Sequence, residues 1–300
     1  MARPLRLEFP NAVYHVYSRG NERKEIFREG VDYELFLGIL SDCAARFDIL
    51  VHAYSLMPNH FHLLLETKDS NLSSAMKRLL GLYTVRFNRV HKRTGHLFQS
   101  RYKALLVDKD GYFLQLSRYV HLNPVKAKIV SNPEDHRWSS MRHYLKDKAP
   151  DFLHREFTLN NFESKAAYRK FVMEGLNTSM DPVKEAIGGL IIGSEEFLST
   201  LKNKISQKKV ADFAGKRTLS RRPAKDVLRH LDGQDQKTSI YALWKYSRAT
   251  QKQIGEWFKI SHSAVSASIR RLEPRLSKDN GLRNRLIKIE RAIQMSKVED

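Results

Sequence analysis

Met57-Pro58-Asn59-His60-Phe61-His62-Leu63-Leu64-Leu65-Glu66 decides how the rest of this chain is organised. A Pro-Asn pair punctuates the stretch, and the aromatic and branched run that follows ends on a charge, which is the pattern of a β-strand. Strand side chains alternate between faces. His60 and His62 therefore share one face, and Phe61, Leu63 and Leu65 share the other. Two imidazoles at neighbouring same-face positions are close enough to grip one cation. The ordinary alternative is one histidine in solvent and the other in a structural hydrogen bond.

Working outward, Ile49–Leu56 reads as a strand, and only Met57-Pro58-Asn59 separates it from the histidine strand, so the two form a hairpin. Ahead of the hairpin, Ala12–Arg19 is a strand ended by Gly20-Asn21. Phe36, Leu37, Leu40 and Ala44 then recur at helical spacing within Asp32–Phe47. Behind it, Asp69-Ser70-Asn71 starts a helix running to about His91. Its apolar face is Leu72, Ala75, Met76, Leu79, Leu82, Tyr83 and Phe87, and the remainder is rich in Lys and Arg. Tyr102–Val107 is a fourth strand, and Asp110 opens a helix carrying Tyr112, Leu116, Tyr119 and Val120. The order strand, helix, strand, strand, helix, strand, helix predicts an α+β domain. Its core is a ferredoxin-like antiparallel sheet with helices on one face, leaving the other face for a site.

Trp138-Ser139-Ser140 closes this first domain, taken as residues 1–145. Residues 146–235 read as a polar helical connector in which 206–225 is crowded with Lys and Arg. An all-α unit at 236–300 follows. In it Thr250 and Gln253 form a capping box for one helix, and Ser261 caps the next, His262–Leu272. Two short helices about a tight turn, with Ser263, Ser266, Arg270 and Arg271 exposed on the second, fit a helix-turn-helix that reads duplex DNA. A generic three-helix bundle needs the same core positions, Ile254, Trp257, Val265 and Ile269.

Composition narrows the partner. With 53 Lys and Arg against 33 Asp and Glu, the 300-residue chain carries a formal charge of +20. Such a surplus favours polyanions, nucleic acid before an anionic membrane. The single cysteine, Cys43, excludes an intrachain disulfide and a thiolate zinc cluster, and its apolar helical setting makes it a core residue. The N-terminal residues lack the apolar core of a signal peptide, and no window approaches a membrane span. The expectation is a soluble, cytoplasmic protein.

Further ligands for an ion at His60 and His62 are sought in Tyr119-Val120-His121-Leu122-Asn123-Pro124. Tyr119 and Asn123 share a helix face, and Pro124 is expected to end the helix at Asn123 and free its side chain. The amide oxygen is a hard donor suited to Mg²⁺ or Mn²⁺, completing a His, His, Asn set with open positions. A tyrosine beside such an ion in a basic protein points to phenolic attack on a phosphodiester. Tyr112, Tyr102, Tyr83 and Tyr14 are rivals for that role.

Several stretches together resemble the HUH superfamily of single-strand endonucleases, and more closely the REP-associated tyrosine transposases. They are Tyr14-His15-Val16 with Ser18-Arg19-Gly20-Asn21, Met57–His62, Phe98-Gln99-Ser100-Arg101-Tyr102-Lys103, Tyr119–Ala127 and Trp138-Ser139-Ser140. The resemblance spans about residues 8–145. It implies a bacterial, nucleoid-associated enzyme that nicks single-stranded DNA near a hairpin and leaves a 5′-phosphotyrosine and a free 3′-OH. His60 and His62 would be metal ligands and Tyr119 the nucleophile. Asn123 stands where the superfamily often has Gln. Arg19, Arg101 and Lys103 would contact phosphates, and His121 would be structural or touch DNA. Related enzymes work as dimers with exchanged tyrosines; this chain is read as a monomer or homodimer. The alternatives are a catalytically idle regulator that holds DNA hairpins and an RNA-binding module on the same fold.

Overall fold

The computed structural model describes residues 7–178, 181–207, 222–277 and 279–295. The chain forms two compact units. One comprises Arg6–Ala186 and Leu190–Ser194, the other Ile187–Gly189 and Glu195–Asp300.

In the first unit the strands are β1 (Ala12–Arg19), β2 (Ile49–Met57), β3 (His60–Thr67) and β4 (Lys103–Val107). The helices are α1 (Gly30–Phe47), α2 (Leu72–Val90) and α3 (Lys109–Lys126). The sheet order is β2-β3-β1-β4-β5, antiparallel over its first four strands, which is the ferredoxin-like arrangement. A fifth strand of two residues, β5 (Ile191–Ile192), adds parallel to β4 from a stretch that the sequence reading placed in the helical connector.

Alternation sorts the side chains as the sequence predicts. Phe61 meets Phe36 of α1 at 5.1 Å between ring centroids, and Phe36 meets Tyr83 of α2 at 5.2 Å. Asp32 in the first turn of α1 accepts from the Glu29 amide at 3.1 Å and from His91 Nε2 at 2.9 Å, tying the start of α1 to the end of α2. Cys43 is buried in α1. The opposite face is not left bare. Phe113, Leu116 and Val120 of α3 pack on Val13, Leu64 and Leu105, so α3 covers part of the histidine face and delivers its own residues there.

A buried ion cluster lies farther along that face. Glu66 accepts from His52 Nε2 at 3.0 Å and from Lys109 Nζ at 2.8 Å. The His52 bond is the main cause, and Lys109 an additional one, of its carboxyl lying at about 2. Its folded value is depressed, so its stabilisation is present above the unfolded value near 4.3 and fades as pH falls towards 2. Glu66→Gln is expected to cost on the order of 3 kcal/mol in urea unfolding at pH 7. The gap should close between pH 4.5 and about 2; a gap unchanged at acid pH would show that packing, not charge, accounts for it.

Residues 146–235 are not one connector. The part up to 186 packs into the first unit: Tyr168 is fully buried, stacked on Tyr144 at 4.9 Å, and Arg155 donates to the carbonyls of His143, Lys146 and Asp147. Of the basic segment 206–225, residues 208–221 lie outside the described residues.

The second unit holds helices Gln236–Tyr246, Gln251–Phe258, His262–Leu272 and Asn280–Met295 around Ile240, Leu243, Ile254, Val265, Ile269 and Leu286. Thr250 Oγ1 accepts from the Gln253 amide at 3.2 Å, and Gln253 Oε1 accepts from the Thr250 amide at 2.8 Å, the expected capping box. Ser261 Oγ accepts from the Ala264 amide at 3.1 Å. Gly255, inside the helix Gln251–Phe258, is required where the following turn packs back on it, because a Cβ there would sit 2.6 Å from the Ile260 carbonyl oxygen. Trp257, counted with the core in the sequence, is 45% exposed. No helix among the described residues is long and apolar enough to cross a membrane.

Candidate active site

Three loops meet at one end of the sheet because their backbones are stitched together. The Gly20 amide donates to Asn59 O at 2.8 Å, the Asn21 amide to Leu97 O at 2.8 Å, and the Gln99 amide to Arg19 O at 3.1 Å. Gly20 permits this approach, since any Cβ there would collide with the Lys24 carbonyl. Segments 18–21, 57–62 and 97–101, distant in sequence, thus form one rim.

Beneath the rim is a cavity of about 320 Å³. His60, His62, Tyr119, Asn123, Arg19, Arg101 and Lys103 all line it, together with Tyr17, Ser18, Gln99, Ser100 and Asp181. The rings of His60 and His62 are 5.2 Å apart and nearly perpendicular, and the Tyr119 ring lies edge-on to His62 at 5.7 Å. Arg19, Arg101 and Lys103 are exposed at the mouth. Ser263, Ser266, Arg270 and Arg271 lie on the helix His262–Leu272 of the second unit.

Asn123 reaches the cavity by a route other than the expected one. The helix does not stop before Pro124 but runs through it to Lys126. Proline forfeits only its own amide bond, and the next turn is secured by the Ala127 amide donating to Asn123 O at 2.9 Å. Asn123 Nδ2 donates back to Tyr119 O at 2.9 Å, which turns the amide oxygen away from that bond.

Burial shapes the titration of the cavity. It pushes the Tyr119 phenol up to about 12, with Asp181 adding to the rise and Asn123 and Arg19 opposing it. Burial, aided by Arg19, lowers His60 to about 4. Burial, with His15, His60 and Arg19 adding to it, holds His62 well below the usual imidazole range. Both rings are neutral near pH 7, the form that ligates a metal. His60 Nδ1 lies 2.6 Å from Asn59 Oδ1, an oxygen that only accepts. The ring proton therefore sits on Nδ1, and Nε2 keeps its lone pair. Among the described residues no group of three His, Cys, Asp or Glu side chains is arranged to hold a metal. A donor set here is two imidazoles and the Asn123 amide oxygen, which fits a hard divalent ion with open positions.

Of the rival tyrosines, Tyr14 and Tyr83 are buried elsewhere, Tyr14 accepting from the Phe9 amide at 2.9 Å and Tyr83 donating to Ile26 O. Tyr102 and Tyr112 do not line the cavity. Tyr17 does, and it was overlooked. It stands opposite His62 in the β1–β3 register and stacks on it at 5.8 Å, as β1 alternation from His15 implies. Asp181 carried no sequence signal, because tertiary packing alone brings it to this end of the sheet.

Residues 8–123 match the family described as transposase IS200 like. Among solved structures, a REP-associated tyrosine transposase bound to a REP hairpin shares 16% identity over 51% of this chain and 94% of its own, with a TM-score of 0.42. A candidate transposase from Deinococcus radiodurans R1 shares 21% identity over 40% of this chain and 94% of its own, with a TM-score of 0.29. No curated protein matches.

Proposed function

We propose that this chain is a transposase-type DNA strand transferase that cuts single strands beside hairpins, with Tyr119 as nucleophile, a reading supported by the match of residues 8–123 to the family described as transposase IS200 like. One observation carries the reading. Tyr119, from a helix far along the chain, meets His60 and His62 in a cavity whose mouth bears Arg19, Arg101 and Lys103.

These three cations hold the phosphates of the strand. Tyr119 Oη attacks the scissile phosphorus, the P–O3′ bond breaks, and its electron pair leaves with O3′, which is protonated to the free 3′-OH. The phenolic proton must depart as the new bond forms. Asp181, the one carboxylate among the described residues lining the cavity, is the group that would accept it. His60, His62 and Asn123 are the residues that would hold Mg²⁺ or Mn²⁺, and such an ion supplies charge neutralisation at the phosphate. The 5′-phosphotyrosine conserves the diester, so an incoming 3′-OH can displace Tyr119 without ATP. In the second unit, the exposed Ser263, Arg270 and Arg271 and the half-buried Ser266 form the side of a helix-turn-helix that contacts duplex DNA.

Incubation with single-stranded hairpins and Mn²⁺ should give a protein–DNA species that survives denaturation. Its absence under all divalent ions, with hairpin binding intact, would leave a DNA-holding role. Binding itself is expected to weaken steeply with salt, because each neutralised phosphate of a single strand contributes about −0.7 to the slope of log K against log salt. Arg101→Ala should flatten that slope by about the same amount. A slope unchanged by the substitution would remove Arg101 from the phosphate contacts.

A further inference from the structure

His15 of β1 has no place in the reaction described above, yet it is wholly buried beside the cavity. Its Nε2 lies 2.9 Å from His62 Nδ1, and the two rings stack with centroids 5.1 Å apart and planes 12° from parallel. His15 pairs with Leu64 and Tyr17 with His62, so the two histidines are diagonal neighbours across the strands.

Two other buried histidines of this unit use both ring nitrogens. His121 meets Tyr168 and Ser140, and His52 meets His154 O and Glu66. His15 does not: among the described residues its Nδ1 is buried with no partner. An unmet polar atom in a core costs stability, and a valine would fill β1 at no such cost. What His15 keeps in return is the single bond to His62.

That bond has a direction that matters. At 2.9 Å the two nitrogens share one hydrogen bond, so one of them donates and the other accepts. If His15 donates, His62 carries its proton on Nε2 and has no lone pair left for an ion. If His62 donates through Nδ1, its Nε2 becomes the ligand atom. Asn59 imposes the second arrangement on His60 through an oxygen that only accepts.

We propose that His15 is a positioning residue that does the same for His62: its Nε2 accepts the His62 Nδ1 proton, fixing the ring's plane and leaving Nε2 as the metal donor. A neutral imidazole thus occupies the place where a carboxylate or carbonyl more often supports a ligating histidine. This rests on the proposed metal-dependent reading, and the experiments separate the two.

In the Mg²⁺-saturated full-length protein labelled with ¹⁵N-histidine, His15 should appear as the Nδ1–H tautomer with an unprotonated Nε2. A His15 that carries its proton on Nε2 overturns the proposal without any variant having to fold. His15→Leu, which cannot accept, should weaken Mn²⁺ binding measured by calorimetry about 10- to 100-fold. His15→Gln, whose amide oxygen can reach the same point, should restore it to within a few-fold. Wild-type affinity in His15→Leu, or no recovery in His15→Gln, overturns the role of His15 alone. A wild-type protein that binds no Mn²⁺ overturns both this and the metal-dependent reading.

Discussion

Tyr119→Phe is expected to abolish the denaturation-resistant DNA adduct while leaving hairpin binding within a few-fold of wild type. The substitution removes one oxygen from a half-buried ring whose packing is otherwise set by carbon. Its edge contacts with His15 and His62, both at 5.7 Å, and the Lys126 ammonium 5.8 Å from its centroid survive in phenylalanine. What is lost is the atom that would bond to phosphorus, and loss of a covalent nucleophile typically lowers turnover by at least about 10⁴-fold. Tyr17 makes the comparison sharp. It lines the same cavity, stacks on the same histidine, and burial raises its phenol to about 12 as well. Its ring lies flat against His62 at an angle of 23°, whereas Tyr119 meets His62 edge-on at 86°. Tyr17→Phe should therefore keep the adduct. An adduct that persists in Tyr119→Phe and vanishes in Tyr17→Phe would reverse the assignment, and one that persists in both would end the tyrosine mechanism.

What could be read from the sequence, and what could not, divides along a physical line. Alternation in β1 and β3 places His60, His62 and the apolar residues on their faces because a strand allows no other arrangement. Helical spacing in α2 predicts its buried face from Leu72 to Phe87 for the same reason. The ferredoxin-like order then follows from the sequence of periods. Pro124 misleads, since the bias against a helical residue before proline yields where neighbouring turns are well bonded, and α3 continues to Lys126. Trp257 misleads in the opposite sense: an aromatic at a helical core spacing is left nearly half exposed. Asp181, β5 and the packing of residues 146–186 depend on contacts between segments with no local pattern to announce them. Tyr17 was within reach, for the alternation that pairs His60 with His62 also pairs His15 with Tyr17.

His121 supports the helix that carries the nucleophile from behind the site. It stands two positions after Tyr119 on α3 and faces away from the cavity, fully buried. The proton positions around it follow from its partners. Ser140 Oγ donates to Tyr54 O at 3.2 Å, so the 2.7 Å contact with His121 Nε2 must be donated by the imidazole. His121 Nδ1 is then the acceptor for the Tyr168 hydroxyl at 2.7 Å, and Ser117 donates to Tyr168 Oη at 2.7 Å. This chain joins α3 to β2 and to the helix Lys165–Glu174. His121→Phe matches the ring in shape but removes both ends of the chain. At roughly 1–3 kcal/mol for each buried group left unmet, the loss should be on the order of 3 kcal/mol. For a unit of this size that lowers Tm by roughly 10 °C. Because α3 carries Tyr119, a shift of about 1 Å in its seating should also slow adduct formation by about 10²-fold. The two losses belong together. A His121→Phe protein that melts like the wild type yet cannot form the adduct would place His121 in contact with DNA or the reacting atoms, and one that loses stability with full activity would show that α3 holds Tyr119 in place without it.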